Sequence, residues 1–265
     1  MIQVNELFCG YGSKEVVKQI SFSIEKGTVL SILGANGSGK STLLKALVGI
    51  LPYKGEILIE EKDAKELEKK QRASLIAYVP QSSTIPFEFS VLEIVLMGRF
   101  HSSSLKFSYS QNDKDEAMSA LKQVGIESFA TKVFKNLSGG EKQLVLIARA
   151  LAQKSKIIIM DEPVTGLDLG NQMRLLDLIN SLKSSGKIII QTTHYPDHAL
   201  HVSTKVLWLE KGEILAFGSP KEVITPKRIL HIYNVRSEIY KSDSSGREYI
   251  LPEKFLQKDS KCLEN

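Results

Sequence analysis

The sequence predicts an α/β protein with a mostly parallel sheet, added antiparallel β strands and an inserted α-helical subdomain. Three observations carry this. Four short runs rich in Ile, Val and Leu, at 28–33, 75–79, 157–160 and 187–192, read as strands buried on both faces. Helical patterns separate them, and strands alternating with helices build a parallel sheet. Residues 82–153 then show helical periodicity without a convincing strand, which marks an insertion between core strands.

The remaining elements follow in order. Residues 20–24 with 56–60, and 206–209 with 213–217, read as the added antiparallel strands, the first of them alternating strictly between apolar and polar side chains. Lys211-Gly212 supplies a tight turn for the second pair. Within the insertion, Ser90 and Glu93 have capping-box spacing and open an apolar segment that ends near Gly98. Residues 112–124 read as a second helix stopped by Gly125, and 142–152 as an apolar third. After about Thr225 the chain turns more polar. The expected division is therefore a main domain over 1–225, carrying the insertion, and a C-terminal extension over 226–265.

Composition excludes several classes. The chain has 265 residues, 42% of them hydrophobic, enough for a substantial core in a single domain. Its net charge of +5 is dispersed, and the densest charged stretch, 60–72, mixes both signs like a solvated helical face. A one-signed basic patch interleaved with aromatics is absent, so nucleic acid is not an expected partner. No run approaches the ~18 apolar residues of a membrane span, and the N-terminus lacks the pattern of a secretory leader. Cys9 and Cys262 have no metal-ligand spacing and are expected to be unpaired thiols in a reducing compartment.

The chemistry begins at Gly34, Ala35, Asn36, Gly37, Ser38, Gly39, Lys40 and Ser41, followed by Thr42, between the strand ending at Leu33 and a helix over 42–48. This is the P-loop pattern. Its glycines let successive N–H groups face phosphate oxygens, and the helix N-terminus adds partial positive charge. Lys40 would reach the β- and γ-phosphates and Ser41 a Mg²⁺ ion. The buried strand 157–160 runs into Asp161 and Glu162, which point to different neighbours. Asp161 is placed to hold Mg²⁺ through waters, and Glu162 to orient or deprotonate an attacking water. Gln81 and His194 also lie just past strand ends, where an open parallel sheet gathers its ligand. Leu137, Ser138, Gly139, Gly140 and Glu141 open the helix over 142–152 as a second anion cradle, away from the P-loop edge. One nucleotide does not need two cradles in one chain, so the second suits a nucleotide held by another copy; an ordinary capped helix is the other reading of it.

The ordered set GANGSGKST, YVPQ, LSGGE, IIIMDEP, GLD and TTH resembles the ABC ATPase family over about residues 1–220. The resemblance implies a P-loop NTPase core that binds and hydrolyses ATP with Mg²⁺. It also implies two copies sandwiching two nucleotides, with Ser138, Gly139, Gly140 and Glu141 of one copy facing the P-loop of the other. It assigns Tyr11 to stacking on adenine, where the residues alone allow a core aromatic equally. It assigns Gln81 to the Mg²⁺ site and coupling surface, Asp168 to a loop that communicates across the dimer, and His194 to the γ-phosphate. Lys142 and Tyr195 depart from common family residues without touching a chemical role. Residues 89–99, FSVLEIVLMGR, and the tail over 225–235 are similar to importers of iron-siderophore, haem, cobalamin and molybdate type. That implies transmembrane permease subunits, a substrate-binding protein acting indirectly, and a peripheral position on the cytoplasmic face of the inner membrane. An exporter subunit and a non-transport ABC ATPase are the alternatives.

Overall fold

The computed structural model describes residues 1–82, 87–100, 109–244 and 246–256. The chain begins with β1 (Ile2–Tyr11), β2 (Lys14–Ile24) and β3 (Val29–Leu33), followed by α1 (Lys40–Leu47), β4 (Tyr53–Ile59) and β5 (Lys62–Asp63). Then come α2 (Lys69–Leu75), β6 (Ile76–Val79), α3 (Val91–Leu96), α4 (Gln111–Val124) and α5 (Gly139–Ala152). β7 (Ile157–Met160), α6 (Leu169–Ser184), β8 (Ile188–Thr192), α7 (Pro196–Val202), β9 (Lys205–Glu210) and β10 (Glu213–Gly218) complete the core. α8 (Pro220–Val223), α9 (Pro226–Tyr233), β11 (Val235–Lys241) and β12 (Glu248–Phe255) follow.

The central sheet has the order β10-β9-β3-β8-β7-β6, and every pairing except β9 with β10 is parallel. Its apolar strands are covered on both faces, as their composition requires. Ile158 and Met160 of β7 pack with the helices of the insertion and α6, whereas Ile157 and Ile159 pack with α1 and the antiparallel sheet. Each Val, Leu or Ile so buried contributes about 1.5–3 kcal/mol before entropy is counted.

Three expectations are corrected. β9 is not only an added antiparallel strand, because it also lies parallel to β3, with Leu30 opposite Lys205. Residues 20–24 and 56–60 do not pair with each other, because β1 runs between β2 and β4 and Val4 opposes both Phe22 and Ile57. β1 escapes detection because its alternation is interrupted at Glu6, whose φ of 45° accompanies register shifts against both neighbours. The mixed-charge stretch 60–72 is not one helical face. Glu60 and Glu61 take φ of 50° and 69° and turn β4 into β5, a conformation no helix accommodates, and α2 starts only at Lys69.

The insertion between β6 and β7 is helical among the described residues. Ser90 and Glu93 form the expected reciprocal cap, and Gly125, at φ 81°, closes α4. Met97–Arg99 is a 3₁₀ turn after α3. There the buried Arg99 pairs with Asp113 at 3.1 Å and donates to the Ala152 carbonyl at 2.8 Å, tying α3 to α4 and α5. Lys211 and Gly212 form the predicted turn with positive φ at both residues. The β11–β12 hairpin docks on α7, where the Ile250 N–H donates to Asp197 Oδ1 at 2.6 Å. Cys9 is a buried free thiol raised to about 11 by burial, and Cys262 lies outside the described residues. No helix among the described residues is long and apolar enough to cross a membrane.

Candidate nucleotide site

The carboxyl ends of β3, β6, β7 and β8 open onto a cavity of about 550 Å³ whose lining includes Asn36, Lys40, Ser41, Gln81, Glu162 and His194. The parallel register places these strand ends side by side, so residues spread over the sequence from Asn36 to His194 face one space.

The loop between β3 and α1 depends on glycine at two points. A Cβ on Gly34 would lie 2.3 Å from the Leu209 carbonyl oxygen, and Gly39 caps α1 at φ 105°, with no side chain bonding the helix start. The amides of the first turn are therefore left to an anion. Lys40 is buried, and its Nζ donates to the carbonyls of Gly34 at 2.8 Å and Ala35 at 3.1 Å. Burial lowers its ammonium from the ordinary 10.5, an effect that Glu162 and Asp161 oppose.

The two acids do divide their contacts. Asp161 is buried, and its Oδ1 accepts from Ser41 Oγ at 3.1 Å and Thr192 Oγ1 at 2.6 Å. Glu162 faces the cavity. Its Oε2 accepts from Gln81 Nε2 at 2.8 Å and Thr165 Oγ1 at 3.4 Å, and its Oε1 pairs with His194 Nε2. The Ser41 hydroxyl, the Asp161 carboxylate and the Gln81 amide oxygen are hard donors of the kind Mg²⁺ takes. No cluster of three or more His, Cys, Asp or Glu able to hold a metal occurs among the described residues. Three oxygen donors of this kind fit an ion that completes its shell with phosphate and water.

Tyr11 ends β1 and is 50% exposed, with Lys45 Nζ donating to its hydroxyl at 3.3 Å, so the core-aromatic reading does not hold. It stands outside the residues that line the cavity. Asp168 caps α6, accepting from the Asn171 N–H at 2.8 Å. Ser138, Gly139, Gly140 and Glu141 are likewise outside the cavity, at the start of α5. Gly140 instead abuts the chain between Glu162 and Asp168, since a Cβ there would meet the Gly166 carbonyl oxygen at 2.6 Å. Thr165 and Thr192 received no role from the sequence. Thr192 could have been found from register, because Met160 pairs with Gln191 and the next residues on each strand are Asp161 and Thr192.

The model of the ABC transporter family matches residues 17–165, which contain the P-loop, the α5 cap and both acids. The chain belongs to the ABC transporter family. It hydrolyses ATP, and hydrolysis is coupled to transport. The ATPase is 30% identical over 264 residues to the iron(3+)-hydroxamate import ATP-binding protein FhuC of Bacillus subtilis (strain 168), covering 99% of this chain and 98% of that one. It is 36% identical over 235 residues to the manganese transport system ATP-binding protein MntB of Halalkalibacterium halodurans, covering 88% and 92%. Among solved structures, a metal-chelate type ABC transporter in an inward-facing conformation superposes with a TM-score of 0.82 at 32% identity, over 96% of the ATPase and 97% of that chain. A dimeric ATP-binding cassette in a post-hydrolysis state with ADP and phosphate superposes at 0.75 and 27% identity, over 83% and 99%.

Proposed function

We propose that this ATPase powers an importer of metal chelates or oxyanions, of the iron-siderophore, haem, cobalamin or molybdate type, through separate permease subunits at the cytoplasmic face of the membrane. The observation that carries the two-copy mechanism is the distance between roles. The P-loop, both acids, Gln81 and His194 surround one cavity, whereas the Ser138 helix start lies outside it in the same chain. A second copy supplies that helix start to a nucleotide held here, and the similarity to a dimeric cassette supports the arrangement. The relatives named for iron(3+)-hydroxamate import and manganese transport, together with the metal-chelate type neighbour, support import of a metal-bearing cargo.

In this reading the amides of Gly37, Gly39, Lys40 and Ser41 hold the phosphates, and Lys40 leaves the Gly34 and Ala35 carbonyls to contact the β- and γ-phosphates. Tyr11 stacks on the adenine. Ser41, Gln81 and Asp161 would hold Mg²⁺, whose charge would offset that of the phosphates. Glu162 orients the attacking water and takes its proton, and His194 steadies both Glu162 and the γ-phosphate. Asp168 carries the state of one site to the other. Closure follows because ATP binds the closed pair more tightly than the open one; a nucleotide indifferent to the two states would drive nothing.

The test is uptake of labelled iron-siderophore, haem, cobalamin and molybdate in cells lacking this protein, with wild type or Lys40→Ala supplied back. Loss of one uptake, restored by wild type alone, is expected. Unchanged uptake of all four overturns the importer reading in favour of export or a role outside transport.

A further inference from the structure

We propose that Thr192 is a positioning residue for hydrolysis: its single hydroxyl sets Asp161 and Glu162 in their working relation. The proposal rests on the roles given above to those two acids.

Thr192 ends β8, the strand between the one that leads into the P-loop and the one that leads into the acids. It pairs with Ile32 on one side and follows Gln191, the partner of Met160, on the other. It is fully buried. A hydroxyl has one proton to give and lone pairs to receive, and here both capacities are used. The proton goes to Asp161 Oδ1 at 2.6 Å, and the oxygen accepts the main-chain N–H of Glu162 at 2.8 Å. Among the described residues the other donor to Asp161 Oδ1 is Ser41 Oγ, which belongs to the P-loop and has nucleotide chemistry of its own. Val79 fixes the Asp161 main chain, accepting its N–H at 2.9 Å, and Thr192 is the side-chain donor outside the P-loop that holds its carboxylate.

The bond to Glu162 acts on a strained backbone. Glu162 has φ of 49°, a left-handed conformation that non-glycine residues adopt only where their surroundings hold them. Thr192 fixes its N–H, and the Thr165 N–H donates to its carbonyl at 3.1 Å. With the amide released, Glu162 is free to relax toward an extended conformation, which swings its carboxylate away from Gln81 and His194. Removing this hydroxyl therefore disturbs the water-activating group while leaving the phosphate loop intact.

The experiment compares full-length Thr192→Val, Thr192→Ser and Glu162→Gln with wild type, reading ATPase kcat and KM, nucleotide affinity and melting temperature. Valine keeps the shape and removes the hydroxyl. It is expected to lower kcat by roughly 10- to 100-fold, the usual loss when an outer partner of a working ligand is removed, with KM near the wild-type value. Serine restores the hydroxyl and is expected to recover most of the turnover. Wild-type kcat in Thr192→Val beside an inactive Glu162→Gln overturns the proposal alone. Equal loss in the valine and serine variants, with lowered melting temperatures, overturns it in favour of packing. Wild-type turnover in Glu162→Gln removes the role of Glu162, and the positioning proposal with it.

Discussion

The helices α1 and α5 both start on glycine-bearing turns that suit an anion, yet they treat their free amides in opposite ways. α1 is opened by Gly39, with no side chain bonded to its first turn. α5 is opened by Ser138, whose Oγ accepts the Glu141 N–H at 3.3 Å while Glu141 Oε2 accepts the Ser138 N–H at 2.8 Å. The first start is left open to a ligand within its own cavity. The second has two amides already satisfied by its own side chains, and in the proposed two-copy arrangement those of Gly139 and Gly140 serve the partner's nucleotide. A helix that waits for a partner copy must survive alone, and the capping box lets it do so.

The largest expected effect separates the two cradles by ligand. Lys40→Ala should lower ATP turnover by at least ~100-fold, on the scale of losing a charge-stabilising donor at a transition state. Ser138→Arg should lower turnover comparably yet leave ATP binding to a single copy unchanged, as read by equilibrium binding at a dilution where the chain is monomeric. Loss of that binding in Ser138→Arg would place the second cradle in the chain's own site and break the comparison.

A middle effect sharpens it within one motif. Gly140→Ala should destabilise the fold by about 1–3 kcal/mol, because its methyl meets a main-chain oxygen that has little room to move. Gly139→Ala faces open space and should leave urea unfolding unchanged while impairing dimer-dependent hydrolysis. Equal stabilities for the two variants would sink the packing account of Gly140.

The smallest effect concerns the cap. Ser138→Ala should cost about 1 kcal/mol of stability, measured by denaturant melts. The Ser138 N–H, and then its hydroxyl, hold the Glu141 carboxyl below its ordinary 4.5. A carboxyl depressed in the folded state stabilises above its unfolded value, so this contribution is complete above pH 4.5 and is lost as pH falls through the lower folded value. Side-chain NMR titration should give a Glu141 midpoint below 4.5. In Ser138→Ala it should return only part of the way, since alanine keeps the main-chain donor.

Much of the site was legible because its chemistry is written in contiguous residues. The P-loop, Asp161-Glu162 and the Ser138 cap each follow from a few neighbours and a helix or strand end. Strands whose apolar character is unbroken, such as β7, were read to the residue. β1 was missed because a bulge at Glu6 disrupts the period on which such reading depends, and 60–72 was misread because charge pattern does not reveal a left-handed turn.

Local signals in the sequence thus determined the fold class, the strand ends that build the site, and the family to which they belong. Tertiary structure alone decided that β9 joins the parallel sheet, that Tyr11 stands exposed, that Gly140 abuts Gly166, and that one hydroxyl at Thr192 serves both acids. The reason is range. Helix caps, glycine turns and apolar runs act between residues a few positions apart, whereas Thr192 and Asp161 are 31 positions apart and meet only when two strands settle into register.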